Sequence, residues 1–186
     1  MDIKLLDLTL KLLAHTLEKV VYEPLTQNGE VLTGVQENCL RFIYFHHDPL
    51  AKEVADGLQI SNAAVTKLID RLEKKGLVTR EYSRTDRRQI ILKLTPEGFR
   101  LLETARREEL KRLQTIVERL DPEILAYFEA GLNNFLKAAL VNMEQLDKIC
   151  LRCGRAHVTA CPGNLIHRNL TGRDRFINPE EDQKEE

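Results

Sequence analysis

The sequence predicts a mainly α-helical protein with one small β-hairpin, and three observations support this fold class. Two short amphipathic segments, at residues 50–58 and 61–75, are joined by a turn. Two strand-like segments follow at residues 77–82 and 89–94, with a charged loop between them. Longer segments on both sides carry apolar residues every three or four positions. This combination predicts a winged helix-turn-helix plus a helical dimerisation bundle.

The second short segment carries the clearest helix signals. Ser61 is a good N-cap, because its hydroxyl can accept a hydrogen bond from a free backbone N–H of the first turn. Gly76 is expected to end the helix, since glycine readily adopts positive φ, and Gly57 is expected to let the chain turn beforehand. Helical spacing separates an apolar face from a polar one. The apolar face contains Val65, Leu68, Ile69 and Leu72, and the other contains Ala63, Thr66, Lys67, Asp70 and Lys74.

The loop between the two predicted strands is rich in arginine. It reads SRTDRR over residues 83–88. A hairpin with such a tip beside a helix-turn-helix is a winged helix. Guanidinium groups at the tip can contact phosphates or enter a minor groove, which points to nucleic acid as the partner.

The winged-helix region resembles the MarR family of bacterial transcription regulators. The resemblance is carried by the run ISNAAVTKLIDRLEKKGLVTR, followed by RTDRRQIILKLTPEG. The motif positions are Leu32, Thr33 and Gln36 upstream, and Asp86, Arg88, Leu94, Thr95 and Gly98 in the wing. The resemblance covers roughly residues 3–146. It implies a homodimeric, sequence-specific DNA-binding regulator, more often a repressor, that binds a palindromic operator through two recognition helices.

Nine residues are predicted to contact double-stranded DNA. Asn62, Ala63, Thr66 and Lys67 are expected to face base edges or nearby phosphates, Ser61 and Arg71 to position the helix on phosphates, and Arg84, Arg87 and Arg88 to act from the wing. The resemblance implies that Asp86 pairs with an arginine and holds the wing in shape. Residues 61–93 contain nine basic and four acidic residues, although the net charge of the chain is −1. Such a local excess favours DNA over a solvated charged surface.

The remaining elements predict the domain organisation. An N-terminal helix has a heptad-like seam from Ile3 to Val20. A helix over residues 33–46 follows, and three proline-containing pairs are expected to start later helices. These pairs are Asp48-Pro49, Thr95-Pro96 and Asp121-Pro122. The helix that starts at Pro96 is expected to run to about residue 120, and the one that starts at Pro122 to about residue 148. The predicted divisions are residues 1–31 for the N-terminal dimerisation helix and loop, 32–98 for the DNA-binding domain, 99–148 for the C-terminal dimerisation helices, 149–170 for a cysteine-rich segment, and 171–186 for an acidic, disordered tail.

The cysteine-rich segment, CLRCGRAHVTAC, leaves several chemistries open. Cys150, Cys153 and Cys161, with His157, make a Cys3His set suited to Zn²⁺. An iron–sulfur cluster is the alternative, with Cys39 as a fourth ligand, although Cys39 is most simply a small core residue. Cys150 and Cys153 could instead form a reversible disulfide, or the thiols could hold no metal at all.

Other classes of protein find less support in the sequence. A thiol–disulfide redox enzyme using Cys150 and Cys153 lacks the βαβ pattern that normally surrounds such a motif. A winged-helix adaptor that binds proteins would not need an arginine-rich wing. No apolar run reaches the length of about 18 residues that a membrane span requires, and the N-terminus lacks a secretory pattern. We therefore expect a cytoplasmic regulator that is not an enzyme, and nothing in the sequence selects a small-molecule effector.

Overall fold

The computed structural model describes residues 2–22, 24–27, 29–46, 48–83, 88–153 and 160–174, with only the main chain at 151–153. Its helices are α1 (Ile3–Thr16, continued by a π-helical turn at Leu17–Val21), α2 (Gly34–His46), α3 (Ala51–Leu58), α4 (Asn62–Lys74), α5 (Pro96–Val117), α6 (Pro122–Ala139), α7 (Met143–Cys153) and α8 (Pro162–Thr171). Its strands are β1 (Thr26–Gln27), β2 (Glu30–Val31), β3 (Val78–Tyr82) and β4 (Ile90–Leu94). The predicted fold class, mainly helical with a small hairpin wing, is confirmed.

The main hydrophobic core lies inside the winged helix. Helices α2, α3 and α4 surround it, and the hairpin and the start of α5 close it. Its fully buried members include Leu40, Phe42, Val54, Ile69, Leu72, Leu77 and Leu92. The predicted apolar face of α4 supplies Val65, Leu68, Ile69 and Leu72 to this core. We call the part of the chain from α2 to β4 the recognition module.

The two strands of the wing pair with each other, and β4 also bonds to the segment before α3. Strands β3 and β4 are antiparallel, with Val78 opposite Leu94. The Leu92 N–H also donates to the Pro49 carbonyl at 2.9 Å, and Leu50 forms a bridge with Ile91. The segment before α3 therefore acts as a short third strand of the wing.

The prediction that Asp48-Pro49 starts α3 was wrong. Asp48 has φ +60 and the Pro49 carbonyl accepts a hydrogen bond from Leu92 of the wing, so the helix begins only at Ala51. The Glu53 carboxylate accepts a hydrogen bond from the Leu50 N–H at 2.7 Å and supplies the missing cap. The other two proline starts are confirmed, because α5 begins at Pro96 and α6 at Pro122.

The turn between α3 and α4 is not made by Gly57. The chain turns at Gln59, whose φ is +55, while Gly57 lies inside α3. A Cβ on Gly57 would clash with the ring of Phe42. Glycine is therefore needed here because α2 and α3 approach closely.

Helices α1 and α6, which were predicted to form a dimer, carry exposed apolar side chains within one chain. No residue of α1 or α6 is buried. The exposed fractions are 67% for Ile3, 68% for Leu12, 67% for Tyr127 and 49% for Phe135. The seam residues Leu6, Leu10, Leu13 and Leu17 are half-buried, whereas the apolar residues beside the seam and most of the stripe of α6 are exposed.

The last predicted helix is in fact two helices. It was expected to run from Pro122 to about residue 148, but α6 ends at Ala139 and α7 begins at Met143. Asn142 interrupts the helix, because its side chain accepts from the Gln145 N–H at 3.0 Å and caps α7. The apolar spacing continues across the break, which is why periodicity alone missed it.

The C-terminal part forms a helical hairpin that the sequence analysis did not predict. Helices α7 and α8 pack together around a small second core of Leu140, Leu146, Cys150 and Ile166. Helix α7 also packs against α2 and α3. Residues 172–174 of the predicted tail are described, and Asp174 pairs with Arg168 at 2.5 Å and accepts from Asn164 at 2.9 Å. Residues 175–186 lie outside the described part.

Candidate nucleic-acid interface

Helix α4 has one buried face and one fully exposed face. The Ser61 hydroxyl accepts from the Ala64 N–H at 3.2 Å, so the predicted N-cap is present. Gly76 has φ +70 just after the helix end, as expected. All six predicted contact residues of this helix are exposed: Ser61, Asn62, Ala63, Thr66, Lys67 and Arg71. The structure thus brings these six onto a single surface that DNA could reach.

Arg80 on β3 neutralises the acidic residues of α4, a role that the sequence analysis missed. Its guanidinium group contacts the Asp70 carboxylate at 2.7 Å and the Glu73 carboxylate at 2.8 Å. It also donates to the Thr66 carbonyl at 3.1 Å. One arginine therefore fixes the wing to the recognition helix and cancels negative charge that would repel phosphates.

The cations of α4 have no such partners. Within the part of the chain that the structure describes, Lys67, Arg71 and Lys74 form no ion pair with a carboxylate. Their charges are therefore available to a polyanion, whereas those of Asp70 and Glu73 are already matched. This produces an unbalanced positive surface on a chain of net charge −1.

The wing is described only in part. Arg88 is exposed, but Arg84, Asp86 and Arg87 lie outside the described residues. Lys93 on β4 contacts Glu81 at 3.0 Å and Asp48 at 3.3 Å, and these carboxylates raise the pKa of Lys93. Lys93 therefore ties β4 to β3 and to the segment before α3, and its charge is matched within the wing.

A partly buried ion cluster joins the recognition module to α5. Arg41 on α2 pairs with Glu109 on α5 and, at 2.9 Å, with Glu37. Burial acts to lower the pKa of Arg41, but Glu109 and Glu37 outweigh it, so the pKa is raised and the charge is retained. Glu109 is only 5% exposed, so loss of Arg41 would leave a buried carboxylate without its main counter-charge.

The cysteines lie in two separate places. Cys39 is completely buried in the main core, and burial raises the pKa of its thiol to about 12. It is therefore a protonated core residue at neutral pH, which disfavours it as a fourth metal ligand. Cys150 and Cys161 both lie beside Gly163 at the start of α8.

The other predicted metal ligands lie outside what the structure describes. Those are His157 and the side chain of Cys153. Among the side chains that are described, no three His, Cys, Asp or Glu residues converge closely enough to hold a metal ion. The Cys3His set therefore stays a prediction at this point. The described helices also include none with the length and hydropathy of a membrane span.

Residues 32–89 match the sequence profile of the MarR family. The HTH-type transcriptional repressor MdtR of Bacillus subtilis is 32% identical over 93 residues, which are 50% of this chain and 59% of that protein. An uncharacterized HTH-type transcriptional regulator of the same organism, YsmB, is 30% identical over 105 residues, which are 56% of this chain and 72% of that protein. This chain thus spans somewhat over half the length of the first relative.

A solved structure shares the fold. Streptococcus pneumoniae FabT, in its crystal structure in complex with DNA, has a TM-score of 0.64 and 21% sequence identity. The similarity covers 74% of this chain and 97% of FabT. At this level of identity the similarity supports the winged-helix architecture and no residue roles.

Proposed function

This chain belongs to the MarR family, and we propose that it is a DNA-binding transcription regulator rather than an enzyme, which acts as a homodimeric repressor on a palindromic operator. The MdtR relative is described as a repressor, and FabT was crystallised with DNA. Both descriptions support the proposal without belonging to this chain.

One observation carries the proposal of DNA contact. The exposed face of α4 keeps Lys67, Arg71 and Lys74 unpaired within the described residues, while Arg80 cancels the two carboxylates on the same helix. A helix of this kind fits the major groove, where the residues near its N-terminus reach base edges. We therefore propose that Asn62, Ala63, Thr66 and Lys67 contact bases or nearby phosphates, with Ser61 and Arg71 on phosphates.

The wing residues enter the proposal on the sequence and the family resemblance. Arg84, Arg87 and Arg88 would contact phosphates or the minor groove. Asp86 would pair with an arginine and keep the wing in shape. Since Lys93 is already matched by Glu81 and Asp48, we leave it out of the DNA-contacting set.

The apolar surfaces of α1 and α6 support a homodimer. A second copy of the chain would cover Leu12, Tyr127 and Phe135, which are otherwise exposed to water. A two-fold dimer presents two recognition helices, so its operator is expected to be a palindrome with half-sites one helical turn of DNA apart.

A regulator of this kind binds the chromosome, so we also propose a cytoplasmic location.

We further propose that DNA binding responds to metal or redox state through the cysteine-rich segment. The α7–α8 hairpin that carries Cys150 and Cys161 packs against α2 and α3. A change at the thiols would therefore be transmitted to α2 and α3, which support the recognition helix.

The test is a titration of labelled DNA from upstream of the chain's own gene, followed by fluorescence anisotropy at several salt concentrations. We expect Lys67→Ala to weaken binding and to lower the log–log salt slope by about one unit, because one phosphate contact is lost. The matched control is Lys137→Ala, an exposed lysine on α6 that has no place in the proposed interface.

Three results would contradict parts of the proposal. Equal affinity and equal salt slope for Lys67→Ala and the wild type would remove α4 from the interface. Absence of any salt-dependent binding by the wild type would favour the winged-helix adaptor instead.

In a footprinting experiment the protein should protect two half-sites of the DNA, and protection of a single half-site would argue against the palindromic operator.

A further inference from the structure

The end of the recognition helix α4 is held by the small hairpin of strands β1 and β2. Lys75 is the C-cap residue of α4, and its carbonyl accepts a hydrogen bond from the Gln27 side-chain amide at 3.0 Å. The Lys75 ammonium group contacts the Glu30 carboxylate at 2.6 Å. Gln27 and Glu30 are partners across the hairpin. One strand pair therefore holds both the backbone and the side chain of the residue that ends α4.

The hydrogen bond from Gln27 is the more important of these two contacts. Gln27 is only 9% exposed, and a buried amide requires a partner. The last carbonyls of a helix have no partner within the helix, so Gln27 and Lys75 satisfy each other. The Glu30 side chain is 73% exposed, and an ion pair in water contributes little.

The other side of the hairpin is fastened to α5. Val21, in the π-helical turn before the hairpin, is buried, and its carbonyl accepts from the Arg112 guanidinium group of α5 at 3.3 Å. The Leu25 N–H donates to the Glu37 carboxylate at 3.3 Å. Glu37 belongs to the ion cluster that joins α2 to α5. The hairpin therefore connects the end of α4 to the middle of α5.

A second connection joins the end of α4 to the beginning of α5. The Thr95 hydroxyl donates to the Gly76 carbonyl at 2.6 Å, and the Thr95 N–H donates to the Leu77 carbonyl at 3.0 Å. Thr95 is the N-cap residue of α5, and Arg112 lies about 25 Å further along this helix. A single attachment would let α4 pivot on α5, whereas two attachments so far apart fix the angle between the helices.

We propose that Gln27 is a positioning residue, which sets the angle of α4 relative to α5 and so determines the half-site spacing that the dimer accepts. The inference rests on the proposed function. A two-fold axis repeats this angle in the second subunit, so it governs both the separation and the tilt of the two recognition helices. Because Gln27 is buried, it acts through Lys75 and α4, and Glu30 supports it from the surface.

The experiment measures spacing selectivity with the full chain and three labelled DNA duplexes. One contains the footprinted site, the second has one base pair inserted between the half-sites, and the third has a single half-site. Spacing selectivity is the affinity for the first duplex divided by that for the second. Gln27→Glu keeps the size of the side chain, but a carboxylate cannot donate to the Lys75 carbonyl. We expect spacing selectivity to fall about fivefold and the affinity for the single half-site to stay unchanged.

The matched control is Gln145→Glu, which adds the same charge. The Gln145 side chain accepts a hydrogen bond from the Val141 N–H at 3.1 Å, and a carboxylate can accept it equally well. This variant should have the spacing selectivity of the wild type. Glu30→Gln removes only the exposed ion pair, so it should lower spacing selectivity by less than Gln27→Glu does.

Two outcomes of the DNA titrations would overturn the positioning role. Affinity that falls by the same factor for all three duplexes would mean that Gln27 contributes only to folding. Spacing selectivity equal to that of the wild type in Gln27→Glu would mean that α4 keeps its angle without this hydrogen bond. If Gln27→Glu does not fold, Glu30→Gln decides, and unchanged spacing selectivity in that variant would overturn the inference.

Hydrogen exchange of the free protein distinguishes this inference from the proposed function. The Lys75 and Gly76 amides donate to carbonyls of the last turn of α4, so both should exchange faster in Gln27→Glu and not in Gln145→Glu. Unchanged exchange in Gln27→Glu would refute the attachment of α4, even in a protein that binds DNA. A wild type that binds no DNA would refute the proposed function and leave the attachment standing.

Discussion

Helices α4 and α6 have the same kind of sequence pattern and opposite surroundings. The apolar face of α4 is buried, with Leu72 0% exposed. On α6 no residue is buried, and Phe128 is 45% exposed. Periodicity therefore reveals which face of a helix is apolar, but it does not say whether the same chain covers that face. The core of the recognition module is closed by Leu102 of α5 in the same chain, whereas α6 presents an exposed apolar surface.

The largest expected effect comes from the core of the recognition module. Leu72→Ala should lower the free energy of unfolding by about 3 kcal/mol, because it removes a fully buried side chain and leaves a cavity. Urea unfolding followed by circular dichroism measures this change. Leu132→Ala on the exposed stripe of α6 is the matched control at a protein concentration where the chain is monomeric. Equal losses for the two variants would mean that the two regions do not differ as described.

A smaller effect is expected at α6, and it should appear in assembly. Phe128→Ser should raise the dimer dissociation constant roughly a hundredfold, or about 2.7 kcal/mol, because a symmetric dimer loses the contact twice. Sedimentation equilibrium measures this constant, and the exposed Glu129→Gln serves as the control. An unchanged dissociation constant would remove Phe128 from the interface.

The smallest effect concerns the buried thiol of the recognition module. Burial raises the pKa of Cys39 from 9.0 to about 12. Above pH 9.0 the unfolded chain loses this proton while the folded chain retains it, so stability is complete below pH 9.0 and falls as the pH rises towards 12. At about pH 10 the titration of Cys39 is expected to lower the free energy of unfolding by on the order of 1 kcal/mol.

Cys39→Ala isolates this titration from those of the lysines and tyrosines. Urea unfolding at about pH 8 and about pH 10 should show a smaller pH-dependent loss in the variant than in the wild type. Equal losses would mean that the Cys39 thiol titrates at its ordinary pKa in the folded protein.

The recognition module could be predicted well because its signals are local. The N-cap at Ser61, the apolar positions of α4 and the positive φ of Gly76 each depend on a few neighbouring residues. The same holds for the starts of α5 and α6, where a capping side chain precedes a proline. Such signals work because the backbone and its nearest side chains determine them.

Errors occurred where a distant contact prevailed over a local signal. Asp48-Pro49 resembles a helix start, but Pro49 instead bonds to the wing. Gly57 resembles a turn residue, but it makes room for Phe42. The break at Asn142 interrupts an apolar spacing that continues on both sides, and only the Asn142–Gln145 capping pair signals it.

The candidate interface was predictable in outline and not in its charge balance. The exposed face of α4 follows from periodicity, so the six helix residues could be listed in advance. The neutralisation of Asp70 and Glu73 by Arg80 joins a strand to a helix and leaves no local pattern. The position of Gly163 beside the Cys150 and Cys161 thiols depends in the same way on how α7 and α8 pack.

The hydrogen bond between Pro49 and Leu92 has a consequence for hydrogen exchange. Leu92 is 0% exposed, and its amide is bonded to a carbonyl just before α3. This amide can exchange with solvent only when strand β4 separates from the start of α3. The wing and α3 therefore form one cooperative unit of local unfolding, and whatever loosens the start of α3 also releases the wing.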